Sequence, residues 1–118
     1  MKSEMPKHDS KTCQGLMLPV QDSIELLSGK WKLPILVALM HGVKRFSDLS
    51  REIPNITDRM LSKELRILEQ NQLVNRKVYD TFPVTVEYTM TDYGMTLKEV
   101  IDALAKWGTK HRERIMQD

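Results

Sequence analysis

The sequence is short of several things, and each shortage removes a class of function. It holds one cysteine, Cys13, so an intrachain disulfide or a thiolate metal cluster has no second sulfur to use. Its three histidines, His8, His41 and His111, lie too far apart in the chain to suggest a metal site. The five glycines are scattered singly as stops, which leaves no glycine-rich loop to cradle a phosphate. No Ser/His/Asp or paired-carboxylate constellation stands at credible spacing, so neither an enzyme nor a cofactor is expected. The longest unbroken apolar stretch, Leu33 to Met40, is eight residues, far short of the ~20 a membrane span needs. The first twenty residues carry Glu4, His8, Asp9 and several lysines without an apolar signal-peptide segment, so a cytoplasmic location away from membranes is expected.

What is present describes a globular chain. With 118 residues, 41% hydrophobic and 29% charged, it fits one domain that can bury a core without metal or disulfide support. The net charge of +2 is mild, but its distribution is uneven. Between Lys30 and Lys77 there are ten basic and five acidic residues, a local +5, while the two flanks together carry −3. One anion-binding surface would produce that pattern, and so would ordinary solvated helix faces.

Periodicity and punctuation predict the layout. Residues 1–17 are polar, aperiodic and interrupted by Pro6, and read as a loose N-terminal arm ahead of a domain spanning 18–118. A short helix is expected from Pro19 to a stop at Gly29, then an all-round apolar helix from about Trp31 to Met40, ended by Gly42. Pro34 falls in its first turn, where a missing N–H breaks no helical bond. After a connector at Lys44-Arg45-Phe46, Ser47 is the expected N-cap of a two-turn helix, Asp48 to Ile53, closed by Pro54. Thr57 caps a longer helix, Asp58 to about Gln70. Leu73–Tyr79 and Val84–Met90 read as two strands joined around Asp80–Pro83, and Thr91 opens a last helix over 92–116. Four helices, a hairpin and a final helix make an α+β, mostly α, winged helix-turn-helix plan with a C-terminal dimerisation helix.

The helix 58–70 carries the functional argument. At ~100° per residue, Leu61, Leu65 and Leu68 fall within about 60° of one another and form the core stripe. About half a turn away, Arg59, Ser62, Lys63 and Arg66 share a sector of about 100° that holds no acid. Glu64 and Glu69 point to the margins of the stripe. Arginine can bond a guanine edge through two parallel donors, a serine hydroxyl can read or position, and lysine serves phosphates as a point charge. Ser47 and Thr57, at the starts of the two helices, join this expected DNA-contacting set. On the hairpin Arg76 and Lys77 alternate, so one of these cations lies outward and suits a phosphate. The tip is expected to approach the backbone or minor groove, although Asp80 argues against a strongly basic wing. The bland alternative for the helix face is solubility, and the alternative for the whole chain is a winged-helix protein–protein interaction module without DNA binding.

Leu97, Val100, Ile101, Leu104 and Trp107 on the last helix outnumber what one helix of a small domain usually hides, and Ile24 and Leu27 could cover some of that surface. Either they all pack into the domain's own core or they form a homodimer interface. A two-fold dimer would set two reading helices about 34 Å apart and require an inverted-repeat operator. Met17, Met60 and Met95 are expected to fill gaps in the core. Cys13, near Lys11 where arm meets helix, is either an inert half-buried thiol or a switch that oxidation, alkylation or bridging to its mate would throw.

Several ordered segments resemble the HxlR family of bacterial transcription regulators, relatives of the MarR type. They are Ser28-Gly29-Lys30-Trp31-Lys32, Lys44-Arg45-Phe46-Ser47-Asp48-Leu49, Ile53-Pro54-Asn55-Ile56-Thr57, Met60-Leu61 with Leu65-Arg66 and Leu68-Glu69. Leu73-Val74 with Arg76, Val86-Glu87-Tyr88 and Thr91-Asp92-Tyr93-Gly94 continue the match, which spans roughly Cys13 to Gly108. Ser28 stands where the family usually has glycine, and Pro34 where it commonly has an aliphatic residue. The resemblance implies a dimeric winged-helix protein that binds double-stranded operator DNA, with terminal helices forming the dimer contact. It also implies a small-molecule or oxidant effector, since several family members sense oxidants or electrophiles through a cysteine near the N-terminus.

Overall fold

Residues 10–117 are described by a computed structural model, and among them six helices and three short strands follow in order. These are α1 (Ser10–Leu27), α2 (Lys32–Leu39), β1 (Lys44–Arg45), α3 (Phe46–Glu52), α4 (Asp58–Gln70), β2 (Val74–Tyr79), β3 (Thr85–Met90), α5 (Asp92–Met95) and α6 (Lys98–Ile115). The winged helix-turn-helix plan holds: α3 and α4 form the helix pair, and the β2–β3 hairpin is the wing.

The core sits where α2, α4 and the sheet converge. Ile35, Leu36 and Leu39 of α2 meet Leu61, Leu65 and Leu68 of α4, all nearly or fully buried. Burying a side chain of this kind stabilises the fold by about 1.5–3 kcal/mol. Two glycines frame α2 in the left-handed region, Gly29 at φ +98° and Gly42 at φ +128°, where a side chain would be strained. Pro34 is accommodated in the first turn of α2. Between α3 and α4, Asn55 takes φ 68°, a conformation that asparagine tolerates, and so turns the chain sharply after Pro54.

The sheet is antiparallel in the order β1-β3-β2, so β3 is central. Lys44-Arg45, expected as a connector, pairs with Tyr88 and Glu87. Two residues are too few to show alternation; the open edge of β3 decides their pairing. Along β2, Arg76 stands opposite buried Tyr88, and Lys77 opposite Glu87 on the other face. Behind the wing, Gly94 of α5 lies against the main chain of β2's approach: a Cβ there would collide with the Leu73 carbonyl oxygen.

Four further expectations change. Residues 10–17, expected as the end of a loose arm, are helical, because α1 begins at Ser10 and runs through Pro19. Proline favours a first turn, but inside a helix it removes only one bond, whose acceptor would be the Gly15 carbonyl, and the helix continues. Residues 1–9 of that arm lie outside the described residues. Helix α3 starts at Phe46, so Ser47 lies in its first turn; Arg45 is the N-cap, and its backbone N–H donates to Asp48 Oδ2 at 2.9 Å. The helix expected over 92–116 is two helices. Thr91 Oγ1 accepts the Gly94 N–H at 2.8 Å to cap α5, and the tighter bonds Thr96 N–H to Tyr93 and Leu97 N–H to Gly94 end it. Finally, Met17 and Met95 are exposed rather than filling the core, while Met60 packs against it.

Candidate nucleic-acid interface

Helix α4 starts where its sequence says it should. Thr57 is its N-cap, and Thr57 Oγ1 accepts the Met60 N–H at 3.1 Å. Ser50 of α3 donates to Asp58 Oδ1 at 2.9 Å, which ties the first helix of the pair to the first turn of the second. At the other end Gln72, at φ 63°, closes the helix: Leu73 N–H reaches the Leu68 carbonyl and Gln72 N–H that of Glu69, both at 3.0 Å. Thr91 Oγ1 then donates to the Gln72 carbonyl at 2.6 Å and joins the end of the wing to the end of the helix.

This framework presents one face of α4 to solvent. Arg59, Ser62, Lys63 and Arg66 are all exposed, and Leu61, Leu65 and Leu68 behind them are buried. Among the described residues none of these three cations has a carboxylate partner. Four of the five acids of the central segment are occupied elsewhere, and the fifth, Glu69, is exposed beside this face. Glu64 pairs with Lys32 at 2.9 Å, Glu52 with Lys44 at 3.0 Å and Asp48 with Arg51 at 2.8 Å, while Asp58 accepts from Ser50. Arg59, Lys63 and Arg66 are thus left without an ion-pair partner among the described residues, a condition that suits holding a polyanion.

The wing divides the two hairpin cations. Arg76 shares the Tyr88 face of the sheet and joins Ser62, Arg66, Glu69 and Phe46 around a cleft of about 370 Å³ between α4 and the sheet. Lys77 lies on the opposite face, its Nζ 4.9 Å from the centre of the Tyr79 ring. So α4 and β2 bring Ser62, Arg66 and Arg76 together, and Lys77 stands apart. Ser47 and Thr57 are exposed, with the Thr57 hydroxyl already engaged as a cap. Glu69 at the rim of the cleft was legible only as a margin residue, about 20° from Ser62 around the helix. The Lys32–Glu64 pair left no mark in the sequence beyond Glu64's marginal position, because periodicity on one helix says nothing about its partner.

The seven residues expected at a dimer contact separate into two sets. Leu27 is buried and Leu97 and Ile101 pack against the core, so those three belong to the domain itself. Ile24, Val100, Leu104 and Trp107 are exposed. Ile24, Val100 and Leu104 line, with Leu16, Pro19 and Val20, an open apolar groove of about 750 Å³ between α1 and α6. Trp107 stacks on His111, ring centres 4.9 Å apart. Cys13 is exposed in the first turns of α1. Among the described residues no helix is long and apolar enough to cross a membrane, and no group of three or more His, Cys, Asp or Glu could hold a metal ion.

Comparison with known proteins agrees with this architecture. A family model described as HxlR-like helix-turn-helix matches residues 26–116. The HTH-type transcriptional regulator YtcD of Bacillus subtilis is 44% identical over 101 residues, covering 86% of this chain and 80% of its own. Among solved structures, the redox regulator HypR in its reduced form superposes with a TM-score of 0.78 at 37% identity, over 82% of this chain and 96% of HypR. Diamide-treated YodB of Bacillus subtilis does so with a TM-score of 0.67 at 35% identity, over 79% and 92%.

Proposed function

The chain belongs to the HxlR-like helix-turn-helix family of transcription regulators, and on that premise we propose that it binds an inverted-repeat operator as a homodimer, each protomer placing α4 in a major groove. One observation carries this reading: Arg59, Ser62, Lys63 and Arg66 stand exposed on the face of α4 opposite its buried leucines. Arg66 and Ser62 are assigned to base edges, Arg59 and Lys63 to the flanking backbone, and Arg76, across the cleft, to a phosphate. Lys77 contributes charge from the outer face of the wing. Ser47, in the first turn of α3, is placed to donate to the backbone where that helix crosses it.

The dimer reading rests on Ile24, Val100, Leu104 and Trp107, too much apolar surface for a small domain to leave in water. Shape supports it. The radius of gyration is 18.0 Å, whereas a compact chain of this length has about 13–14 Å; long α1 and α6 account for the excess. A second copy seated on the groove would cover both.

Cys13 is proposed as the switch. It lies on the same helical stripe as Val20 and Ile24, at ~100° per residue, and so near the surface assigned to the partner. Oxidation would join two Cys13 thiols, one per protomer, by an S–S bond. Two electrons and two protons would pass to an oxidant such as diamide, whose N=N bond becomes a hydrazine. Alkylation of either thiol by a small electrophile would act at the same seam. Similar solved proteins support the reading: HypR is described as a redox regulator in reduced and oxidised forms, and one YodB structure is of the diamide-treated protein.

The test is selection of bound sites from random double-stranded DNA, run with and without diamide. A two-fold motif with half-sites one helical turn apart, lost on oxidation, is the expected outcome. A protein that retains no DNA at low salt would refute the operator reading.

A further inference from the structure

We propose that Phe82, backed by Pro83, is an apolar wedge that enters the minor groove of the operator beside the major groove occupied by α4. The inference rests on the operator reading above and deepens it. Phe82 is fully exposed at the tip of the β2–β3 hairpin, and the flanking Val78 and Val84 are exposed as well. Residues 80–84 contain one acid, Asp80, and no base, so the tip has no cation to attract a phosphate and a carboxylate that repels one. Its chemistry suits the stacked bases rather than the backbone.

The tip is held in shape. Thr81 Oγ1 donates to the Pro83 carbonyl at 2.8 Å and lies 3.2 Å from Thr85 Oγ1, contacts that bridge the loop from either side of Phe82. Little ordering is left to be done on contact. Reach agrees with the geometry of the duplex. Arg76, at the cleft with Ser62 and Arg66, is six residues before Phe82, a span of at most about 20 Å at ~3.3 Å per residue. The minor groove next to a contacted major groove lies about half a helical turn away, ~17 Å. A phenylalanine delivered there can wedge between adjacent base pairs and kink the duplex, as inserted apolar side chains do. Flexible pyrimidine–purine steps yield most readily, so such a step is expected in the operator at that distance from the bases read by α4.

Operator duplexes obtained by selection with the full chain would carry 2-aminopurine at the flanking step. Fluorescence of that base and anisotropy of the labelled duplex would be read across a salt series. Wild-type protein is expected to raise the 2-aminopurine signal as the base unstacks. Phe82→Ala should abolish the rise and weaken binding about tenfold with the salt slope unchanged, because no phosphate contact is lost. Phe82→Leu should keep a fraction of both. The wedge is overturned if the wild type gives no rise, if Phe82→Ala binds and unstacks like the wild type, or if its weaker binding comes with a shallower salt slope. Arg66→Ala separates the two readings: weakening there with no effect at Phe82 overturns the wedge alone. Absence of DNA binding by the wild type overturns the operator reading and the wedge together.

Discussion

Lys32 of α2 and Glu64 of α4 form an ion pair of 2.9 Å across the interior, with side chains only 14% and 12% exposed. Glu64 Oε1 is buried and lacks a well-directed hydrogen bond, so Coulomb attraction in a dry setting holds the contact. The pair fastens the back of α4 to the central helix. Removing one partner strands the other charge. Glu64→Leu is expected to lower stability by about 3 kcal/mol in urea denaturation. Lys32→Met combined with Glu64→Leu should recover most of that loss, and additive losses in the double variant would contradict the pairing.

Gln72 occupies the left-handed position that closes α4, at φ 63°. A side chain there costs energy that glycine avoids, partly offset by glycine's greater freedom when unfolded. Gln72→Gly should therefore stabilise the protein by about 0.5–1 kcal/mol, visible as a higher Tm. A lower Tm would mean that the glutamine side chain contributes something its backbone does not show.

Arg66 and Lys63 should respond differently to substitution. Arg66→Ala is expected to cost about 1–3 kcal/mol of operator affinity and to relax preference at one base pair. Lys63→Ala should weaken binding to all sequences alike and reduce the slope of log affinity against log salt by about 1. Titrations at several salt concentrations distinguish the two, and identical behaviour would remove the division between base and backbone contacts.

Leu104 is 52% exposed in the single chain, so a charge there leaves the core intact. Leu104→Glu is expected to convert the dimer to folded monomers in sedimentation at micromolar concentration. Leu61→Ala, in contrast, should cost about 2–5 kcal/mol of stability, since Leu61 is fully buried. A Leu104→Glu dimer indistinguishable from wild type would take α6 out of the interface.

Cys13→Ser should bind the operator as wild type does under reducing conditions and resist release by diamide. Release of the serine variant at the same diamide concentration would end the case for a thiol switch.

Much of this molecule was legible in its residues. The start and extent of α4 were readable because Thr57 as a cap and three leucines at helical spacing point the same way. Its cationic face followed from the same arithmetic, since a helix that buries one stripe must present the opposite one. Two signals that depend on a single residue failed. Pro19 suggested a helix start but lies within α1, and Ser47 suggested a cap where the N-cap is Arg45, whose backbone N–H the Asp48 carboxylate accepts. The apolar residues of the last helix could be counted but not sorted, and only packing assigns Leu97 and Ile101 to the core and leaves Leu104 and Trp107 in solvent.

Local periodicity and capping thus determined which segments are helices and which face of α4 carries charge, because those properties depend on neighbours within a few residues along one chain. Tertiary packing alone decided that Lys44-Arg45 is a strand, that Glu64 is matched by Lys32, and that Arg76 rather than Lys77 joins Ser62 and Arg66. Each of those outcomes is a meeting of groups distant in sequence. The free energy of such a meeting depends on the approach of whole elements, which no spacing within one segment encodes.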